Sequence, residues 1–203
     1  MDIAFLISAS VTLYVIIDPI GLTPMFVALT QGMNARERRA IALRACLTGA
    51  IILTLFAALG ESLLGFIGIS MSAFRIAGGI LLFLTALDML FERRAKRRED
   101  QADERPDPSV FPLAIPLIAG PGAIATVILL AEQQDGWIGL ASVVAVMIGV
   151  ILILFVFFLG AGLLERVMGK TGINVVTRLL GMLLAALSVQ FVLDGLRDFG
   201  FAS

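Results

Sequence analysis

Runs of roughly twenty apolar residues, each closed by a short polar or charged stretch, fill almost the whole of this 203-residue chain. A run of that length is what crosses a ~30 Å hydrocarbon layer as a helix. Six such stretches can be counted, at about 3–30, 42–64, 70–91, 110–131, 139–164 and 174–196, and the fifth carries no charge between Gly139 and Leu164. Two of the six are interrupted. The first contains Asp18-Pro19-Ile20-Gly21-Leu22-Thr23-Pro24 and the fourth Pro116-Leu117-Ile118-Ala119-Gly120-Pro121-Gly122, with prolines five residues apart in both. A helix broken in hydrocarbon leaves amides and carbonyls that lipid cannot satisfy, so breaks persist where they line a cavity or are buried in protein.

Composition agrees with the pattern. Hydrophobic residues make up 59% of the chain and charged ones 15%, at a mean hydropathy of +1.01, well above the apolar share of a soluble globule. The expected class is an all-α integral membrane protein. The opening Met1-Asp2-Ile3 has no basic flank or small-residue cleavage site, so the first span is expected to stay in the mature protein. A single cysteine, Cys46, and no histidine remove an intramolecular disulfide, a dithiol relay, histidine-based triads and Cys/His metal sites. No catalytic residue, metal or cofactor is expected.

With the N-terminus outside, thirteen of the fifteen Lys and Arg fall on the cytoplasmic side and only Arg75 and Arg197 lie outside, the bias that sets orientation in a plasma membrane. Both termini are then expected to be periplasmic. Most of these charges read as anchors, and nucleic acid is not among the expected partners. The stretch 92–109 mixes charges of both signs with Pro106 and Pro108 and reads as a hydrophilic cytoplasmic linker. It separates a first three-span unit, 1–91, from a second, 110–203. Three crossings per unit force the second to enter the bilayer in the opposite sense. Besides the proline match, Arg75-Ile76-Ala77-Gly78 in the third span is echoed by Arg178-Leu179-Leu180-Gly181 in the sixth. Six transmembrane helices arranged as a 3+3 inverted repeat, with spans 1 and 4 broken, is the expected fold.

The chemistry is expected at the breaks. Thr23-Pro24 has the form of an N-cap hydroxyl with proline at the first helical position, and Gly120-Pro121 the same with a glycine cap. The free amides and half-dipole of each new helix start suit a carboxylate. Asp18 is the only charged residue between Ile3 and Ala35, and a carboxylate in that setting is costly unless paired, solvated or protonated. It reads as a binder of a substrate amine, a proton exchanger, or a cap for the amides near Gly21. The candidate substrate-binding set is Asp18, Gly21, Thr23, Pro24, Pro116, Ala119, Gly120, Pro121 and Gly122, with Arg75, Arg178 and Gln190 as polar groups on spans 3 and 6. The plain alternatives are proline kinks repaired by neighbouring helices and, for both arginines, snorkelling at span ends. The two breaks look unequal in depth, since fifteen apolar residues precede Asp18 and about six precede Pro116.

Taken together, Asp18-Pro19-Ile20-Gly21 with Pro24, Phe74-Arg75-Ile76-Ala77-Gly78-Gly79-Ile80, Pro112-Leu113-Ala114-Ile115-Pro116-Leu117, Ala119-Gly120-Pro121-Gly122, and Val189-Gln190-Phe191 through Asp194-Gly195 resemble the MarC-like family of bacterial and archaeal inner-membrane proteins. The resemblance covers nearly the whole chain apart from the linker. It implies a six-span plasma-membrane protein grouped with neutral amino acid transporters, and it carries no assigned catalytic residues. The leading expectation is therefore a secondary transporter of small neutral amino acids, proton-coupled through Asp18, in which one three-span unit rocks against the other. Its partners would be a small-molecule solute and the lipid bilayer, with homo-oligomer formation left open. A non-transporting scaffold or stress-response partner docking through 92–107 is the alternative. A thiol-electron carrier would need paired cysteines at the breaks, and an intramembrane enzyme has little to use.

Overall fold

The computed structural model describes residues 3–91, 107–134 and 136–201, without the side chains of residues 165 and 170; most of the expected linker, 92–106, lies outside the described residues. What is described is mainly helical, with short turns between the helices. The first span consists of α1 (Ile3–Ile17) and α2 (Pro19–Leu29), followed by α3 (Ala35–Ile67) and α4 (Met71–Leu90). An irregularly wound segment, Ser109–Ile118, then leads into α5 (Pro121–Glu132), α6 (Gly136–Leu159) and α7 (Ala161–Asp198). Among the described residues five helical segments, with α1 and α2 taken together, are long and apolar enough to cross a membrane, and six are when Ser109–Ile118 and α5, bent by 54° at their junction, count as one.

Local chemistry sets the ends. Asn34 and Glu37 form a capping box at the start of α3, with the Glu37 amide donating to Asn34 Oδ1 (3.0 Å) and the Asn34 amide to Glu37 Oε2 (2.9 Å). Two orphan amides are thereby satisfied. Ser70 caps α4 through the Ala73 amide. Gly68, in the left-handed region at φ 83°, turns the chain between α3 and α4, a conformation that costs a side chain roughly 1–2 kcal/mol.

The fourth apolar segment runs along α3. Asp107 pairs with Arg44 (2.6 Å), Ile118 lies against Gly49, and Ile128 against Gly60, so the chain from 107 to 128 climbs α3 in the same direction. Hydrogen-bonding groups of Ser109, then the Arg44 guanidinium, hold the Asp107 carboxyl below its ordinary range. The apparent inequality of the breaks is a matter of winding. Ser109–Ile118 contains cis bonds before Pro112 and Pro116 and pairs amides five residues back, Leu113 to Pro108 and Ala119 to Ala114. Beyond the breaks, α2 and α5 have 11 and 12 residues, so each break is about 16–18 Å from the face its helix runs to.

The helices α4 and α7 form the closest pair. They run antiparallel, with Gly79 against Ser188 and Val192, Gly195 against Ser72 and Ile76, and Gly181 against Ala86 and Met89. Lipid is as apolar as leucine, so close backbone approach at small residues is what holds such a pair. The other packing mostly joins one half of the chain to the other: α3 lies on Ser109–Ile118, α5 and α6, while α6 lies on α1 and α2, and α7 on α1 and α2. The expected rocking of 1–91 against 110–203 as two rigid bodies does not suit this arrangement, because it would tear most of the core apart. The pair α4/α7 docked on α1, α2 and α5 is the more natural separable unit.

Candidate functional site

At the first break the helix is interrupted at a single residue. Asp18 takes the left-handed conformation (φ 52°, ψ 66°), the only non-glycine among the described residues to do so. Aspartate tolerates this region better than most side chains because its carboxylate can bond locally. Its Oδ1 accepts from the Gly21 amide at 3.0 Å, capping α2, whose first residue is Pro19. In an unbroken helix the Val15 and Ile17 carbonyls would accept from residues 19 and 21. Here Pro19 has no hydrogen to give and Gly21 gives its own to Asp18. The helical bonds to those two carbonyls are therefore not made.

The new helix thus starts five residues earlier than Thr23-Pro24 suggests. Thr23 donates its hydroxyl to the Pro19 carbonyl (2.8 Å) instead of capping, and Pro24 sits inside α2. Asp18-Pro19 wins because aspartate is the stronger cap and can adopt the required backbone turn. Gly21 has no room for a side chain: a Cβ there would lie 2.0 Å from Asp18 Oδ2.

At the second break Gly120 is the N-cap in extended conformation (φ −80°, ψ 165°) and Pro121 is the first residue of α5, as the sequence suggests. No side chain caps this start, so the Gly122 and Ala123 amides, which have no partner inside a helix, meet no side-chain acceptor. The two breaks adjoin. A Cβ built on Gly122 would be 3.8 Å from Ile16 Cγ2, 3.6 Å from Thr85 Oγ1 and 3.0 Å from Leu82. The start of α5 is therefore against the end of α1, two residues before Asp18, under the middle of α4. Asp18 and Thr23 are at most 1% exposed, and Ala119 and Gly122 are also buried. Pro116 and Pro121 lie on the exposed side of the junction.

One turn beyond Gly122 on the same face of α5 is Thr126, fully buried, with no hydrogen-bond partner for its hydroxyl. It is not among the residues the sequence points to. The signal that was available is a lone hydroxyl four residues after Gly122 in an otherwise apolar half-helix. Among the described residues no three metal-ligating side chains cluster.

Three expected members of the site lie elsewhere. Arg75 bonds Glu132 at the end of α5 (2.5 Å) and Asp198 at the end of α7. Glu132 is about 18 Å along α5 from Gly120, so Arg75 ties the ends of α4, α5 and α7 at the face where α3 turns into α4. Arg178 is exposed, at the opposite end of the α4/α7 pair, beyond the level where Gly181 meets Met89. Gln190 is exposed and donates to Asp194 Oδ1 one turn on (2.8 Å). Helix rotation turns Arg178 and Gln190 outward, and span-end carboxylates claim Arg75. Arg75→Ala is expected to cost about 1 kcal/mol, the upper end for a partly exposed ion pair. That corresponds to a melting point lower by roughly 2–4 °C, a difference that shrinks as salt is added. A melt of the detergent-solubilised protein at two ionic strengths measures it.

Comparison with known proteins adds a family. Residues 3–199 match the family described as MarC family integral membrane protein. The chain is similar to the UPF0056 membrane protein YvbG of Bacillus subtilis strain 168, 37% identical over 206 residues covering 97% of this chain and 96% of that protein. It is also similar to a UPF0056 membrane protein of Aquifex aeolicus (39%, covering 95% and 92%) and to the UPF0056 inner membrane protein YhgN of Escherichia coli K12 (35%, covering 95% and 96%). No solved structure matches.

Proposed function

The chain belongs to the MarC family of integral membrane proteins, and on that premise we propose that it is a secondary carrier of small neutral amino acids across an inner membrane, coupled to protons through Asp18. The observation that carries the reading is that the bare start of α5 lies against the end of α1 in the buried middle of the protein, two residues before the carboxylate that caps α2. A zwitterion is complementary to that pair. Its carboxylate takes the Gly122 and Ala123 amides at the positive end of α5, and its ammonium takes Asp18 and the freed carbonyls of Val15 and Ile17. Paired this way, neither charge stays uncompensated in a low-dielectric site. Thr126 Oγ is one turn further along α5 and bonds the solute's polar edge.

We read the architecture as an inverted repeat, in which α2 and α5, both opened by proline, are equivalent, as are α4 and α7. Access alternates when the α4/α7 pair tilts on α1, α2 and α5. The Arg75–Glu132 bond, joining α4 to α5, closes the face that the charge bias places outside. No step of this cycle makes or breaks a covalent bond, so the protein is read as a transporter and not an enzyme.

The direct test is uptake of labelled glycine, alanine and serine into proteoliposomes under an imposed pH gradient. Accumulation above protein-free vesicles for at least one is the expected result, and flat traces for all three would remove the proposal. Thr126→Val sharpens it. Exchanging an unpartnered buried hydroxyl for a methyl leaves the melting point unchanged or higher, while losing one hydrogen bond of about 0.5–1.5 kcal/mol to the solute. Uptake at low solute concentration is then expected to fall roughly 2- to 12-fold. A variant that transports normally would take Thr126 out of the site.

A further inference from the structure

Outside the junction of the breaks, the feature with the clearest unused shape is a groove of about 480 Å³ between α1, α6 and α7, within the ~300–1,000 Å³ typical of small-molecule sites. Its floor is Val15 and Val150, 1% and 4% exposed, while Val11, Ile153 and Leu183 are 50%, 42% and 54% exposed at its mouth. Gly149 lies in its wall, and a Cβ there would meet nothing within 4 Å. The only polar side chains lining it are Ser10 and Tyr14, and no charged one does. Gly149 is 13 residues from the start of α6 and 10 from its end, about 20 Å and 15 Å. The mouth thus opens at the middle of the hydrocarbon layer.

Those facts decide what fills it. Water does not settle in a space with two hydroxyls and aliphatic walls. What surrounds the mouth at that depth is lipid chain. We propose that the groove between α1, α6 and α7 is a binding site for an acyl chain of a membrane phospholipid, laid over Val15, Gly149 and Val150 with its end beside Tyr14. Tyr14 is the residue whose carbonyl accepts the Asp18 amide (3.0 Å), so the bound chain buttresses the wall of α1 directly ahead of the break. This inference stands apart from the carrier reading, and its test measures lipid retention, not transport.

The experiment is native mass spectrometry of the full chain in detergent after delipidation and titration with dioleoyl phosphatidylethanolamine. Wild type is expected to retain one phospholipid under activation that strips the rest. Gly149→Phe, which fills the groove from a position with open space, is expected to lower that occupancy at least tenfold. Gly65→Phe, at a glycine whose Cβ also meets nothing within 4 Å but which lies near the end of α3, is expected to leave it unchanged. Should the phenylalanine variant fail to fold, Gly149→Leu serves in its place. Equal retention in wild type and the Gly149 variant, no retained lipid in wild type, or a retained adduct that is not a phospholipid would each overturn the site.

Discussion

Asp18→Asn is expected to keep the fold and lose most of the transport. Asparagine fits the left-handed backbone at this position, and its Oδ1 accepts from the Gly21 amide as the carboxylate does at 3.0 Å. The start of α2 therefore survives, and the melting point moves little. What goes is the carboxylate at the junction. A hydrogen bond from the solute's ammonium to that carboxylate is worth about 2–3 kcal/mol, so initial uptake below saturation falls roughly 30- to 150-fold, and the remainder no longer responds to an imposed pH gradient. Asp18→Ala separates structure from charge. It loses the cap, about 1–2 kcal/mol, and forces a methyl into the left-handed region for about 1–2 kcal/mol more, so it should lose stability as well as uptake. If the asparagine variant carries solute within twofold of wild type, Asp18 is a capping residue and the proton-coupled mechanism goes with it.

Gly79→Leu is expected to have the largest effect on stability. A Cβ on Gly79 would lie 2.7 Å from Val192 Cγ2, 2.8 Å from the Ser188 carbonyl oxygen and 3.1 Å from the Val192 amide nitrogen. Two of those three are backbone and cannot swing aside, so α4 and α7 must separate along their length. Overpacking a well-fitted core costs ~1–3 kcal/mol where side chains can adjust. With backbone in the way about 3 kcal/mol is a lower bound, a fall of roughly 6–12 °C in melting point. Cys46, the only cysteine and buried, supplies the readout, because a thiol-reactive dye reports its exposure as the protein melts. Gly65→Ala is the control: a Cβ there meets nothing within 4 Å, and alanine is the better helix former. Equal melting curves for Gly79→Leu and wild type would mean the α4/α7 contact is not as close as described.

The spans and the second break were legible in the sequence because their causes are local. Twenty apolar residues in a row are long enough to cross a bilayer whatever their neighbours, and Gly120-Pro121 starts a helix through its own backbone restrictions. The first break was only half legible. Asp18-Pro19 and Thr23-Pro24 both have the form of a cap followed by proline, and the choice between them rests on which residue can turn left-handed in a buried setting. Arg75, Arg178 and Gln190 were misplaced for a different reason. Their positions along a helix could be counted, but which way each faces depends on how α4 and α7 rotate about the glycines that join them. Thr126 was missed because its significance lies in having no partner, a property of its surroundings.

The amino-acid order alone determined that this is a multi-pass membrane protein of six apolar segments with two proline-marked interruptions, since hydropathy and proline act within a few residues of themselves. Only the tertiary structure decided that the start of α5 lies against the end of α1, that the two halves interleave instead of standing apart, and that the arginine of the third span pairs with carboxylates at the ends of α5 and α7. Each of these depends on contacts between residues far apart in sequence, such as Ile16 with Gly122 and Arg75 with Asp198, and no local pattern encodes which distant surfaces fit together.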